Sequence, residues 1–300
     1  MAASTLEFIP SGNSFAREVR GQNLWESVSQ ANAEAIRNAY REDGLLVFRR
    51  QALSEKELLG FGKIIGDPAI YAEKAWLSTE PEVIILSNLR DADGQMLGGL
   101  ANHELTWHTD QSYYARPVTG CFLYGVELPA EGGMTSWSSL IRAYETLPPA
   151  LKKAVDGAVG TFSFAARVAP LHPGRDAKNH DLATRVAATP DVKHPLVNTN
   201  PATGRKSLYI DPKTVTGIDG MPQDEANDLL DQLLAHTVQP ENVYDHDWQP
   251  GDLVLWDNAV VLHKREAFPN ECHRLVNRMI INLNPSQHVI PPAIETAAAA

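Results

Sequence analysis

Apolar residues recur along this chain with two different periods, and the period predicts much of the secondary structure. Over residues 24–40 they recur at roughly helical spacing, and Asp43-Gly44 ends the run, which predicts a helix followed by a turn. Ser54 and Glu57 have the spacing of a capping box, so a second, short helix is expected there. The N-terminal part is therefore predicted to be largely helical, over about residues 20–65.

Short apolar runs bounded by turn residues predict strands, most of them in the later part of the chain. The predicted strands are 45–48, 83–86, 120–127, 134–137, 206–211, 253–256 and 275–283. Helices interrupt them at 139–159, where Pro148-Pro149 divides the run into two pieces, and at 222–236. We expect one mainly β domain with flanking helices over residues 1–300.

Two segments stand apart from this order. Residues 168–190 mix Pro, Gly, Asp, Asn and Lys without periodicity, which predicts a lid or an insert. Residues 291–300 end in an alanine-rich tract, which predicts a frayed tail.

The composition is that of an ordinary globular protein, and its charge narrows the choice of partners. A formal charge of −11 and a pI near 5.4 argue against nucleic acid or an anionic membrane as the main partner. The N-terminus has no signal-like apolar segment, and no apolar stretch approaches the length of a membrane span. Cys121 and Cys272 are too few for a disulfide framework, so both are expected to be small buried residues in a cytoplasmic protein.

Three residues have the character of a metal site. His108 and Asp110 are two positions apart, so in an extended strand their side chains point to the same face. His263 follows a strong apolar strand and would complete the set. Two imidazoles and one carboxylate leave open positions on a metal, an arrangement typical of non-haem Fe(II) oxygenases. For the His-x-Asp triplet by itself, a simple hydrogen-bonding pair is the alternative.

Two arginines form a second signal. If residues 274–280 form a strand, Arg274 and Arg278 share one face and lie roughly 13 Å apart along it. They could point outward into solvent, or inward to bind carboxylates through two N–H groups each. Because they follow His263 closely enough to return on an adjacent strand, we favour the inward orientation.

The candidate metal ligands and the two arginines occur in the order and approximate spacing of one family. Two further motifs fit the same order, Gly132-Gly133-x-Thr135 and Trp256-Asp257-Asn258. The chain resembles the taurine dioxygenase (TauD/TfdA) family over about residues 45–284, including the segments 194–197 and 203–206. The resemblance implies a double-stranded β-helix, the jelly roll of cupin-like proteins. It also implies a dioxygenase that uses Fe(II), 2-oxoglutarate and O₂.

The resemblance also implies roles for individual residues. His108, Asp110 and His263 would be the iron ligands. Arg274 and Thr135 would hold the distal carboxylate of 2-oxoglutarate, one by a charge-assisted pair and the other by a hydroxyl hydrogen bond.

The substrate pocket is expected to bind a small anion, bearing a carboxylate or a sulfonate. Arg278 occupies the place where family members bind an anionic group of the substrate. Tyr71, Tyr113 and Arg167 are further pocket candidates, with core packing as the alternative for the tyrosines and solvent exposure for the arginine. Glu104 stands where taurine-using members have a neutral amide, so it pairs with a substrate ammonium or is simply exposed. Taurine itself is therefore not expected.

The implied reaction is hydroxylation of an unactivated C–H bond, with release of succinate and CO₂. Because Asp110 is a carboxylate, where related halogenases have a small residue, oxygenation is favoured over halogenation. Desaturation, epimerisation or ring formation in a biosynthetic pathway would use the same residues. Outside this class, the alternatives are a metal-dependent hydrolase and a non-catalytic, cupin-like binding protein. A homo-oligomer is compatible with the sequence.

Overall fold

The computed structural model describes residues 5–11, 15–70, 78–99, 102–169 and 180–294. The strands in these ranges are β1 Glu7–Pro10, β2 Arg17–Arg20, β3 Leu45–Phe48, β4 Asp67–Ala69, β5 Val83–Ser87, β6 Leu105–His108, β7 Gly120–Glu127, β8 Thr135–Ser139, β9 Val159–Phe162, β10 Val192–Pro195, β11 Val197–Thr199, β12 Lys206–Leu208, β13 Val215–Ile218, β14 Val243–His246, β15 Leu253–Asp257, β16 Val261–Arg265 and β17 Leu275–Asn282. The helices are α1 Gln30–Asp43, α2 Glu55–Ile65, α3 Leu140–Thr146, α4 Pro149–Val155, α5 Phe164–Val168, α6 His180–Ala188 and α7 Gln223–Thr237.

Two sheets form the centre of the fold, and all their strand pairs are antiparallel except β2 with β3, which is parallel. The larger sheet has the order β1-β2-β3-β15-β7-β17-β4, and β5 also pairs with β17. The smaller sheet has the order β14-β8-β16-β6. One apolar cluster contains buried side chains from both, including Val254 of the larger sheet and Trp137 of the smaller, so the sheets pack face to face. This is the expected jelly roll, mainly β with flanking helices.

The continuous apolar runs at β3 and β15 arise because the larger sheet is buried on both faces. Successive side chains of a strand point to opposite faces. Leu253 and Leu255 pack with α1 and α2 on the outer face, whereas Val254 and Trp256 pack toward the smaller sheet. An apolar residue is therefore required at every position, and the usual alternation of polar and apolar residues disappears.

The same alternation orients the arginines of β17. Met279 and Ile281 pack in the outer cluster with the helices. Residues of opposite parity, including Arg278, therefore face the space between the sheets. The inward orientation expected from the sequence is the one in the structure, but β17 lies in the larger sheet and is not adjacent to the strand of His263 as expected.

Several predicted boundaries agree with the structure, and others need correction. The strands at 45–48 and 120–127 and the capping box of Ser54 with Glu57 are confirmed. α1 begins only at Gln30, because the Ser29 side chain caps it by accepting from Asn32 N. Before the part predicted to be helical, β1 and β2 add two strands to the larger sheet that were not predicted.

The structure describes parts of the two segments predicted as a lid and a frayed tail. Within 168–190, residues 180–188 form α6, while residues 170–179 lie outside the described residues. Within 291–300, the main chain of Pro292 accepts from His194 Nδ1 at 2.9 Å, and Ile294 N donates to Lys193 O at 2.8 Å. Residues 291–294 are therefore attached to β10, and residues 295–300 are not described.

Both cysteines are free thiols, but only one is in the core. Cys121 is fully buried, whereas Cys272 is half-buried, contrary to the expectation that both would be buried. Within the described ranges, no helix is long and apolar enough to cross a membrane.

Gly44 forms the turn between α1 and β3. Its φ of +71° is in the left-handed region, its N–H donates to Tyr40 O, and its carbonyl accepts from Asp257 N at 2.9 Å. A Cβ at this position would lie 2.5 Å from Cγ2 of Val260, in the turn between β15 and β16. Glycine is therefore required both by its backbone conformation and by the close approach of that turn.

Replacing Gly44 with alanine tests this dual requirement against a matched control. Gly157 follows α4 with φ +79° and has open space around its Cβ position, so Gly157→Ala should lower the free energy of unfolding by about 1–2 kcal/mol. Gly44→Ala should lower it by roughly 1–3 kcal/mol more, because Val260 must move. Urea unfolding measures both. Equal losses would show that the contact with Val260 does not matter.

Candidate metal centre

Strand pairing brings the two predicted histidines together. In the register of β6 with β16, His263 lies opposite His108, and their ring centroids are 4.2 Å apart. β6 ends at His108, so Asp110 lies in the following turn and not on the strand as predicted. Its Oδ2 is nevertheless 3.7 Å from His263 Nε2, and one ligand atom from each of the three residues lies within 4.8 Å of the others.

The turn that carries Asp110 is anchored by the Trp256-Asp257-Asn258 segment. The neighbouring Thr109 donates its hydroxyl to Asn258 O at 2.7 Å. Trp256 Nε1 donates to Asn258 Oδ1 at 2.8 Å, and Asn258 N donates to Thr119 O. All four side chains are buried. This motif therefore holds the turn after β6 against the turn that leads into the strand of His263.

Both histidines are prepared to act as neutral ligands. His108 Nδ1 donates to Thr106 O at 2.7 Å, since a carbonyl only accepts, and this leaves the lone pair of Nε2 for a metal. Burial, with a smaller effect of the neighbouring His263, lowers the pKa of His108 to about 3. Burial also lowers the pKa of His263 to about 4, although the Asp110 carboxylate opposes this shift.

Asp110 is held in its ionised form. Burial by itself would raise the pKa of this carboxyl, but Arg278 and the two histidines together keep it well below its usual range. Arg278 Nη2 donates to Asp110 Oδ2 at 2.8 Å, and both side chains are mostly buried. Arg278 Nε also donates to Cys121 Sγ at 3.3 Å.

The three candidate ligands open into a cavity of about 100 Å³ between the sheets. Leu86, Leu123 and Val276 contribute apolar walls on the side of the larger sheet. The cavity is lined by Leu86, Leu105, His108, Asp110, Leu123, Thr135, Trp256, His263, Arg265, Arg274, Val276 and Arg278. The cavity therefore brings together six predicted site residues. They are the three candidate metal ligands, the two residues expected to bind 2-oxoglutarate (Thr135 and Arg274), and Arg278, which is expected to bind the substrate anion.

Arg274 is a buried cation without an acidic partner in the described part of the chain. Its side chain is 1% exposed, and Nη1 donates to Gly133 O at 2.7 Å. Burial, and then repulsion from Arg265, lower the pKa of its guanidinium to about 9. A buried charge of this kind is costly unless an anion compensates it. Thr135, whose side chain is also buried, lines the same cavity.

The structure explains why the second position of the Gly132-Gly133-x-Thr135 motif is glycine. Gly133 has φ +69°, and a Cβ on it would lie 2.9 Å from Arg274 Nη1. Only glycine allows the main chain to approach the guanidinium closely enough for the carbonyl to accept from it.

The residues present fit both a divalent metal and a dicarboxylate. Two neutral imidazoles and one ionised carboxylate form a donor set suited to Fe(II), and the cavity leaves space on one side of it. The uncompensated guanidinium of Arg274 and the hydroxyl of Thr135 suit an anionic group in the same cavity.

The remaining predicted substrate residues lie away from the cavity lining. Arg167, on α5, is half-buried, and its charge contributes to lowering the pKa values of Asp110 and both histidines. The Tyr113 ring contacts Phe164 at 4.9 Å, also on α5. Glu104 is exposed. Tyr71 lies outside the described residues.

Three further residues were not predicted, one of which lines the cavity. Arg265 is 5% exposed and lines the cavity, and strand alternation from His263 could have indicated it. Lys213 is half-buried, and its pKa is lowered by burial and by the charge of Arg167. Trp248 donates from Nε1 to Thr135 Oγ1 at 2.9 Å. No sequence pattern connects Trp248 with a residue so far from it along the chain.

Known proteins resemble this chain over most of its length. The profile of the family described as taurine catabolism dioxygenase TauD, TfdA family matches residues 7–280. Pentalenolactone F synthase of Streptomyces arenae is 31% identical over 280 residues, which cover 88% of this chain and 91% of that protein. The alpha-ketoglutarate-dependent 2,4-dichlorophenoxyacetate dioxygenase of Cupriavidus pinatubonensis is 31% identical over 278 residues, which cover 88% of this chain and 93% of that protein. The crystal structure of a taurine dioxygenase from Burkholderia xenovorans matches with a TM-score of 0.75 and 26% identity, over 98% of both chains.

The low pKa values of the two histidines predict a metal affinity that changes little with pH. With pKa values of about 3 and about 4, His108 and His263 are neutral at both pH 7.5 and pH 6, so a metal need not displace protons from them. Two ordinary histidines with a pKa of 6.5 would lose roughly tenfold in affinity over that interval. Calorimetric titration of the apoprotein with Mn(II) at the two pH values measures this. A tenfold loss would contradict the prediction, and His108→Ala should bind no metal at either pH.

Proposed function

Because this chain belongs to the TauD/TfdA family of Fe(II)- and 2-oxoglutarate-dependent dioxygenases, we propose that His108, Asp110 and His263 are its iron ligands. Their neutral imidazoles and ionised carboxylate, with ligand atoms within 4.8 Å of one another, support this assignment. The enzyme is an oxidoreductase with Fe(II) as metal and 2-oxoglutarate and O₂ as co-substrates, as the motifs predicted.

We assign the distal carboxylate of 2-oxoglutarate to Arg274 and Thr135. The observation that carries this assignment is the buried Arg274 guanidinium, which has no acidic partner among the described residues and lines the same cavity as the three candidate ligands. A carboxylate there would accept from the guanidinium and from the Thr135 hydroxyl. A hydrolase or a binding protein with the same metal ligands would have no use for this pair.

We propose a small organic anion bearing a carboxylate or a sulfonate as the substrate, with Arg278 as its main cationic contact. Arg278 lines the cavity beside Asp110, and a guanidinium has five N–H donors, so pairing with Asp110 does not prevent contact with a second anion. Relatives support an anionic substrate, since one acts on 2,4-dichlorophenoxyacetate and another, from Pseudomonas putida, on sulfate esters.

The mouth of the pocket is proposed to include Arg167, Tyr113 and Glu104, with Tyr71 as a further candidate. Arg167 makes no salt bridge or hydrogen bond with its guanidinium in the described ranges, although its field reaches Asp110 and both histidines. A cation in that position would attract an approaching anion. Tyr113 packs on α5 next to it, through Phe164.

In the proposed reaction, iron and 2-oxoglutarate together supply the oxidant from O₂, with release of succinate and CO₂, and a C–H bond of the substrate becomes C–OH. The chain's own contribution is to bind and orient. Arg274 and Thr135 align the co-substrate, while Arg278 holds the substrate anion. Leu86, Leu123 and Val276 exclude water from the cavity.

Desaturation, epimerisation or ring formation in a biosynthetic pathway is the second candidate within this class. A synthase, pentalenolactone F synthase, is among the relatives at 31% identity.

The two free thiols support a reducing cytoplasm as the compartment. We treat residues 1–300 as one dioxygenase domain, with apolar clusters that join the sheets and helices in its support.

Anaerobic titration with Fe(II) and 2-oxoglutarate tests the cofactor assignment. The protein should develop a weak visible charge-transfer absorption when both are present, and His108→Ala should not. Absence of the band from folded, metal-loaded protein would favour the hydrolase or the binding protein. A hydrolase would also act equally well without O₂ and 2-oxoglutarate.

Separate roles for the two arginines predict opposite kinetic effects. Arg274→Ala should raise the KM for 2-oxoglutarate by roughly a hundredfold, the cost of about 3 kcal/mol for a charged hydrogen-bonding partner. Arg278→Ala should leave 2-oxoglutarate binding nearly unchanged and lower kcat/KM for the organic substrate. Succinate release with a panel of aryloxyacetates, including 2,4-dichlorophenoxyacetate, and alkyl sulfates measures both. Equal losses of both constants in each variant would contradict the assignment.

A further inference from the structure

Trp248 touches both residues assigned to the distal carboxylate of 2-oxoglutarate. It follows β14, which pairs with β8, and this pairing places the indole against the first residue of β8. Trp248 Nε1 donates to Thr135 Oγ1 at 2.9 Å. On its other side, the guanidinium carbon of Arg274 lies over the indole ring, 5.6 Å from the centroid.

The hydrogen bond determines what the Thr135 hydroxyl can do. An indole N–H only donates, so the Thr135 oxygen must accept from it. The hydroxyl proton of Thr135 then has to point elsewhere, and no acceptor for it is found among the described residues. Since Thr135 lines the cavity, that proton is available to a carboxylate there.

The contact with Arg274 keeps a buried cation in place. A guanidinium over the face of an indole is attracted to the ring, more strongly when both are removed from water. Gly133 O accepts from Arg274 Nη1 at 2.7 Å on a different side of the guanidinium. Arg274 is thus restrained by one carbonyl and one aromatic face, neither of which neutralises its charge.

Trp248 is itself held by a buried polar network. The His246 ring packs edge-on against the indole, with centroids 4.5 Å apart. His246 Nε2 lies 3.2 Å from Asp252 Oδ2, which also accepts from Arg49, and Tyr244 Oη lies 2.8 Å from His246 Nδ1. His246 and Asp252 are fully buried. The indole therefore packs against a buried, hydrogen-bonded side chain, which restrains its position.

We propose that Trp248 is a positioning residue for 2-oxoglutarate, acting through Thr135 and Arg274 to set the direction of their hydrogen bonds to the distal carboxylate. This rests on the proposed function, in which those two residues bind the co-substrate. Among the described residues, Trp248 has a hydrogen bond to Thr135 and a cation–π contact with Arg274, and no hydrogen bond or ring contact joins it to the three candidate metal ligands. Its direct effect is therefore expected on the co-substrate.

The test is calorimetric binding of 2-oxoglutarate to Mn(II)-loaded protein, which needs no turnover and no known substrate. Trp248→Phe keeps an aromatic face for Arg274 and removes the indole N–H. It should weaken 2-oxoglutarate binding roughly tenfold, as expected for one well-oriented hydrogen bond. Mn(II) affinity should stay within about twofold, because the ligand side chains are not touched. Trp25→Phe, at an indole 38% exposed, is the matched control and should leave both affinities unchanged.

A double-mutant cycle with Thr135→Ala establishes whether the indole acts through the hydroxyl. In the Thr135→Ala background, Trp248→Phe should cost less than about threefold, because the hydrogen bond it removes is already absent. Additive losses would overturn the proposal, as would Trp248→Phe binding 2-oxoglutarate like the parent. A parallel tenfold loss of Mn(II) affinity would assign Trp248 a general structural role and also overturn it. Failure of the parent protein itself to bind 2-oxoglutarate would instead refute the proposed function.

Discussion

The site depends on how charge is compensated between two sheets that are otherwise apolar inside. Burying a charged group is costly unless an opposite charge or several hydrogen bonds accompany it. Among the described residues, three guanidinium groups line the cavity, those of Arg265, Arg274 and Arg278, but only one carboxylate, that of Asp110. Arg278 is paired with that carboxylate. Arg274 has no acidic partner among the described residues, so a dianion such as 2-oxoglutarate would compensate its charge.

The register of strand pairing determines which of these side chains face each other. His263 faces His108 because β16 pairs with β6 in one register, and a shift by one residue would turn one imidazole to the opposite face. The motifs around the site support this register. Asn258 joins the turn after β6 to the turn after β15, and Gly133 allows the main chain to approach Arg274. Residues that perform no chemistry thus determine where the chemical groups meet.

The candidate metal site and the proposed co-substrate site have different immediate supports. The metal side relies on main-chain acceptors and turns, such as Thr106 O against His108. The co-substrate side relies on the indole of Trp248, which His246 and Asp252 support from behind. Trp248 donates its hydrogen bond to Thr135 and none to a candidate metal ligand, so a change at Trp248 acts first on the proposed co-substrate site.

The sequence by itself identified six of the residues that line the cavity, but it missed Arg265 and placed Asp110 on a strand where the structure has a turn. Strand alternation placed Arg274 and Arg278 on one face, and ordered motifs identified the family. Sequence reasoning did not find β1, β2 or the helix at residues 180–188, because short edge strands and surface helices have weak periodic signals. Only the tertiary structure decided that Arg278 pairs with Asp110 and that Trp248 supports Thr135. Those contacts join residues more than a hundred positions apart, and strand pairing, not local sequence, sets which of them come within hydrogen-bonding distance.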